Sequence, residues 1–172
     1  MIDRTDLKGD CARCAALCCV VFAFDRGEDF AVDKAAGEPC PNIGECGECR
    51  IYESRSERGF RGCSRFECFG AGQRVVQGMF DGRSWQTEPE LLAPMTRAFG
   101  PMKKACELLF AVTYAKERWR SSAALDRLGE IERVLEEITA DVIADGVHGR
   151  LLNIDAELRG IFAAESERIS GI

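Results

Sequence analysis

Nine of the ten cysteines fall between residues 11 and 68: Cys11, Cys14, Cys18, Cys19, Cys40, Cys46, Cys49, Cys63 and Cys68, with Cys106 alone beyond them. Four of the nine stand in the single stretch CARCAALCC. Cysteines that only fill a core rarely crowd like this. Their spacing points to sulfur atoms that bond to one another or to something held between them. The amino terminus, MIDRTDLKGDC, is charged and lacks the apolar segment of a standard signal peptide, which predicts a cytoplasmic, reducing setting in which disulfides are not expected. An odd number of thiols in one segment also suits metal ligation with a spare better than a closed set of bridges.

Geometry constrains what the thiols could hold. A ligating thiol acts as thiolate, and four thiolates around zinc each sit about 2.3 Å from the ion. On a straight helix Cys11 and Cys18 would lie on the order of 10 Å apart along the axis at about 1.5 Å per residue. Both could not reach one small ion unless the helix breaks. Cys18 and Cys19 are chain neighbours whose side chains diverge by roughly 100° in a helix, and more in a strand. The spacing therefore predicts two metal centres, or one centre larger than a single ion, such as an iron–sulfur cluster. Cys40, Cys46, Cys49, Cys63 and Cys68 come from stretches with glycine or proline nearby, and such loops can aim sulfur where regular structure cannot. No histidine lies among them, so the expected environment is all-sulfur, which suits zinc and iron–sulfur clusters alike.

These residues carry a resemblance. CxxC followed closely by CC, then CRIYESR and CSRFEC, resembles the YkgJ-type cysteine-cluster proteins, described as a zinc- or iron-chelating domain. CARCAALCC, DFAVDKAAGEPCPN and GFRGCSRFECFGAGQ are more similar still to the amino-terminal module of actinobacterial pentapeptide-repeat proteins. The likeness runs from about residue 10 to 115. It implies that Cys11, Cys14, Cys18, Cys19, Cys40, Cys49, Cys63 and Cys68 are metal ligands, with Cys46 an added candidate. The chain departs from the broader pattern in having three residues, Ala15, Ala16 and Leu17, before the CC pair, and Ser56 where proline is common. Flagellin lysine methylases carry a similar domain with a [4Fe–4S] cluster, which implies that [4Fe–4S] is slightly favoured over zinc, either alone or with zinc added. It also leaves open whether the chain is an enzyme.

The elements that must position these thiols follow from the pattern around them. Asp10 suits the N-cap of a short helix through Ala12, Ala15, Ala16 and Leu17. VVFAF (20–24) and DFAVD (29–33), around a turn with Asp25 and Gly27, predict a β-hairpin. Residues 36–49 read as loop, and RIYESRSER as a short helix ended by Gly59. A tight turn follows through CSRFECFGAGQ, in which GAG at 70–72 is a turn and not a phosphate loop.

Beyond residue 86 the period becomes helical. Pieces over 89–98 and 101–119 are predicted to break at Gly100–Pro101. Leu128, Ile131, Leu135, Ile138 and Val142 form an a/d seam in 122–144, and Leu151, Ile154, Leu158 and Ile161 repeat it in 149–166. The short turn DGVHG between them predicts an antiparallel helical hairpin. The expected architecture is α+β, mainly α: a cysteine-rich metal-binding module over 1–86 with a short hairpin, and a helical segment over 87–172 packing on it.

The 172 residues, 46% hydrophobic and 30% charged with a net charge of −6, describe an ordinary globular chain. They argue against nucleic acid and anionic membranes as partners. No apolar run approaches the roughly 18 residues that span a bilayer. Arg50, Arg55, Arg58, Arg61, Arg65 and Arg74 surround the later cysteines. They would offset thiolate charge, although a solvated face paired to Glu53 and Glu57 is the plainer reading. Cys106 falls on an apolar face with Met102, Leu109 and Val112 and is expected in the core. Trp85 and Trp119 read as packing residues, and His148 as an exposed turn residue. The functional expectation is an iron–sulfur or zinc protein acting as a redox or scaffold module, with a protein partner docking on the helical segment. The alternatives are a cluster-dependent protein-modifying enzyme and a structural zinc protein or metal sensor. The a/d seam reads as intramolecular core, with a homodimer interface as its other use.

Overall fold

The computed structural model describes residues 7–45 and 47–170; Cys46, the added candidate, lies outside them. Three long helices dominate: α4 (Leu92–Arg118), α5 (Ser122–Ala140) and α6 (Val147–Ser170). Shorter elements precede them: α1 (Leu17–Val21), α2 (Arg61–Arg65) and α3 (Ala71–Gln73), the last running into a π-helical turn over Arg74–Met79.

The predicted seam is the spine of the core. Leu128, Ile131, Leu135, Ile138 and Val142 are all buried, as are Leu151, Ile154 and Leu158, while Ile161 packs at the edge. Ser121 caps α5 by accepting from Ala124 N. Helix α4 lies against both α5 and α6 and also meets α1 and α3, so Leu17, Ala71 and Val75 share one core with Met95, Phe99, Cys106 and Leu135. Cys106 has no exposure, as its apolar face predicts, and burial pushes its thiol up to about 12. No helix among the described residues is long and apolar enough to cross a membrane.

Four expectations need correction. Among the described residues there is no β-strand, and the predicted hairpin reduces to a single antiparallel bridge between Phe24 and Lys34. The fold is helical, not α+β. The reason lies in the first half of VVFAF: Val20 and Val21 are wound into α1, leaving too few extended residues for a ladder. Second, RIYESRSER forms successive hydrogen-bonded turns, not a helix, closed at Gly59, whose φ of +80° glycine alone adopts without strain.

Third, Pro101 does not break α4. Its missing N–H and ring ordinarily cost a helix interior about 3 kcal/mol. Here Ala98, Phe99 and Met102 on either side of it are essentially fully buried, and burying large apolar side chains at roughly 1.5–3 kcal/mol each outweighs that cost. The fourth correction bears directly on the cysteines. The expected helix through Ala12–Leu17 is two pieces. A 3-10 turn, Cys11–Arg13, is capped by Asp10, which accepts from Ala12 N at 3.1 Å. The chain then passes through Ala15 (φ 47°) and Ala16 (φ 54°), both left-handed, before α1 begins.

Left-handed backbone costs an L-residue about 1–2 kcal/mol. Two such residues in succession persist only where the surroundings over-determine them. Here Leu17 and Val20 become fully buried just beyond the turn, and Trp85 Nε1 donates to Ala15 O at 2.7 Å. Trp85 thus clamps the strained turn as well as packing beside the core.

A thiol-lined cavity

The break at Ala15–Ala16 lets both halves of CARCAALCC face one cavity of about 610 Å³. Its wall includes Cys11, Cys14, Cys18, Cys19, Cys40, Cys49, Cys63 and Cys68, the eight thiols singled out in the sequence. Loop hydrogen bonds bring the distant ones in. Cys40 N donates to Cys19 O at 3.0 Å, and Gly62 N to Asp29 O at 3.1 Å. Six phenylalanines share the wall, Phe22, Phe24, Phe30, Phe60, Phe66 and Phe99, with Asp10, Glu67 and Lys103 among the polar residues at it. Phe24 and Phe30 stack at 4.3 Å, and Phe22 meets Phe66 edge-on at 5.2 Å.

Sharing a wall is not ligation. Among the described residues no group of three or more His, Cys, Asp or Glu side chains is placed to hold a metal ion. Cys18 and Cys19 project from consecutive positions of α1, their sulfurs 3.9 Å apart. The expectation of an iron–sulfur cluster or zinc, and with it the YkgJ-type assignment, is corrected on the absence of any such group among the described residues. The cluster-dependent enzyme and the zinc protein or sensor fall with it.

What the cavity does contain is thiols in unlike pairs. Cys11 is exposed and Cys14 buried, and Cys14 Sγ donates to Cys11 O at 3.4 Å. Hydrogen bonding with the Cys14 thiol is the largest influence on Cys11. Joined by the positive charge of Arg55, it lowers Cys11 to about 6 against partial desolvation. Cys14 moves the other way: the same hydrogen bonding, burial and the neighbouring Cys11 charge hold it well above the ordinary thiol range. Cys18 and Cys19 repeat the asymmetry. Hydrogen bonding to Cys19 and burial raise Cys18, whereas hydrogen bonding from Cys18, helped by Lys34 and Arg55, lowers Cys19. Elsewhere in the wall, desolvation pushes Cys63 up to about 11 and also raises Cys49.

Two cations, Arg55 and Lys34, act on these thiols. Arg55 stacks on Tyr52 at 3.9 Å and donates from Nε to Tyr52 O at 2.8 Å, so its guanidinium is held at the cavity wall. The other five arginines of the cluster are not cavity residues: Arg61 and Arg65 pair with Glu28 and Asp29 on the exposed surface, in place of the expected Glu53 and Glu57. Lys34 was invisible in the sequence, a lone lysine after DFAVD. It is 6% exposed, and its Nζ donates to Val20 O at 3.1 Å, Ala35 O at 2.9 Å and Glu38 O at 2.7 Å. Burial lowers its pKa. His148 is exposed, as expected, though within α6 and not in the turn.

Cys11 has a second face. It also lines an open, polar groove of about 820 Å³ with Lys8, Arg13, Gln73, Arg74 and Gln77. Gln73 ties this edge together: its Oε1 accepts from Asp10 N at 2.8 Å and its Nε2 donates to Lys8 O at 2.8 Å. Gln77 Nε2 donates to Arg13 O at 3.1 Å. The CxxC turn is thereby stitched to α3 and the π-helical turn, a link between residues more than sixty positions apart that spacing alone could not reveal.

No family model matches the chain, and no solved structure matches it. The chain is 43% identical over 105 residues to the uncharacterized protein YybG of Bacillus subtilis (strain 168). That similarity covers 61% of this chain and 38% of the relative, so the chain spans well under half of that protein's length.

Proposed function

We propose that the chain is a thiol–disulfide redox module in which Cys11 is the attacking thiol and Cys14 the resolving one. The observation that carries this reading is the asymmetry of the CxxC turn. Its first thiol is exposed and lowered to about 6, and its second is buried behind it and raised. A thiol that is thiolate at neutral pH attacks disulfides readily, and a neighbouring thiol held close resolves the mixed disulfide before it escapes. The Cys11 thiolate attacks one sulfur of a substrate disulfide, whose S–S bond breaks and whose other sulfur leaves as thiolate. Cys14 then gives up its proton to the departing thiolate and attacks Cys11 Sγ, displacing the second substrate thiol. The protein loses two electrons and becomes the Cys11–Cys14 disulfide.

The test is alkylation with iodoacetamide under reducing-agent-free, anaerobic conditions, followed by peptide mass spectrometry. The expected order is Cys11 first, with a rate that rises with pH through about 6 and then levels off as the thiolate fraction saturates. Cys11→Ser should remove this fast phase, and mild oxidation of the native protein should yield a Cys11–Cys14 bridge. A Cys11 that titrates near the ordinary thiol value of 9.0, or protein that retains stoichiometric metal after purification, would overturn the assignment.

A further inference from the structure

The groove outside Cys11 is electrically one-sided. Lys8, Arg13 and Arg74 line it, against a single carboxylate, Asp10, whose Oδ1 already accepts from Ala12 N. Arg74 Nε is buried and hydrogen-bonds to nothing among the described residues. A planar guanidinium fork is matched in shape by a carboxylate, which can accept two of its hydrogens at once. The groove is open to solvent and places Cys11 on its wall.

We propose that this groove admits carboxylate-bearing low-molecular-weight disulfides, with Arg74 and Arg13 orienting the acidic end so that Cys11 meets the S–S bond. The inference rests on the redox reading above and names its substrate class. The Cys11 thiolate displaces one carboxylate-bearing thiolate and forms a mixed disulfide. Cys14 then displaces the second. One substrate disulfide becomes two thiols while the protein dithiol becomes a disulfide, so atoms and electrons balance with no other reactant.

The experiment measures the oxidation rate of the reduced protein by three probes of differing charge: glutathione disulfide (anionic), 2-hydroxyethyl disulfide (neutral) and cystamine (cationic). After normalising to each probe's rate with free cysteine, glutathione disulfide should react at least about tenfold faster than the neutral probe, and the advantage should shrink at high salt. In Arg74→Met the anionic-to-neutral ratio should collapse towards one, and in Arg74→Lys it should be partly kept. Arg13→Gln gives the same readout should Arg74→Met fail to fold. Equal normalised rates for all three probes would sink the inference while leaving the redox reading intact. Failure of every probe to oxidise Cys11 and Cys14 would sink both.

Discussion

Replacing Gly72 by alanine should cost about 1–3 kcal/mol of stability and slow closure of the Cys11–Cys14 disulfide at least about tenfold. Gly72 is buried within α3, and a Cβ there would stand 2.6 Å from Cys14 Cβ and 3.6 Å from its sulfur. Real carbon atoms do not approach that closely, so either α3 or the CxxC turn must yield. The turn is the softer partner, since it already contains two left-handed alanines. Moving Cys14 removes the neighbour that lowers Cys11, so the pH midpoint of Cys11 alkylation should rise towards 9.0 in the same variant. Urea denaturation measures the first effect and alkylation kinetics the second. Leu128→Ala is the control: a cavity in the core, with no exposure at the native side chain, should cost about 2–5 kcal/mol and leave the Cys11 midpoint where it is. A Gly72→Ala protein with wild-type thiol kinetics would refute the coupling.

Lys34→Met should destabilise the protein by about 3 kcal/mol: three hydrogen bonds from a charged group, at about 1.5–3 kcal/mol each, are lost, and part of that loss is offset because methionine carries no ammonium to desolvate. The three carbonyls that receive Nζ come from Val20 at the end of α1 and from Ala35 and Glu38 in the loop before Cys40. Methionine can fill the space of the lysine stem beside Phe24 but cannot donate to oxygen. Lys34→Arg should recover less than half of the loss, because a planar fork cannot point three hydrogens at carbonyls set around one ammonium. Because Lys34 also favours the thiolate of Cys19, Cys19 alkylation should slow in Lys34→Met. Unchanged urea midpoints in Lys34→Met would show that the three bonds contribute nothing net.

The helical half of the fold was legible because its information is local. A three-and-four step of Leu128, Ile131, Leu135, Ile138 and Val142 specifies a buried stripe whatever the partner, and the same reasoning placed Cys106 in the core. The cysteine-bearing half resisted for the opposite reason. Whether VVFAF is strand or helix depends on Leu17 and Val20 being buried beneath α4, and whether Ala15 takes a left-handed backbone depends on a tryptophan seventy residues away. Gly100–Pro101 has every local mark of a helix end, yet packing on both sides carries the helix through it. The eight cysteines that the resemblance named as ligands all line one chamber. Among the described residues no three of them are grouped to hold an ion, a relation in space that spacing along the chain does not specify. The Lys34 ammonium and the Gln73 stitch had no signature in sequence at all.

The sealed position of Cys106 gives the protein an internal timekeeper. Every other described thiol borders a cavity that solvent or reagent can enter, whereas Cys106 has none of its surface in contact with water and is flanked by Met102, Leu109 and Val112. Its labelling with a maleimide must therefore wait for α4 to come away from the rest of the core. In a native sample the Cys106 half-time should match that of the slowest backbone amides in hydrogen exchange, reporting whole-molecule opening on the same chain whose front thiols report local chemistry.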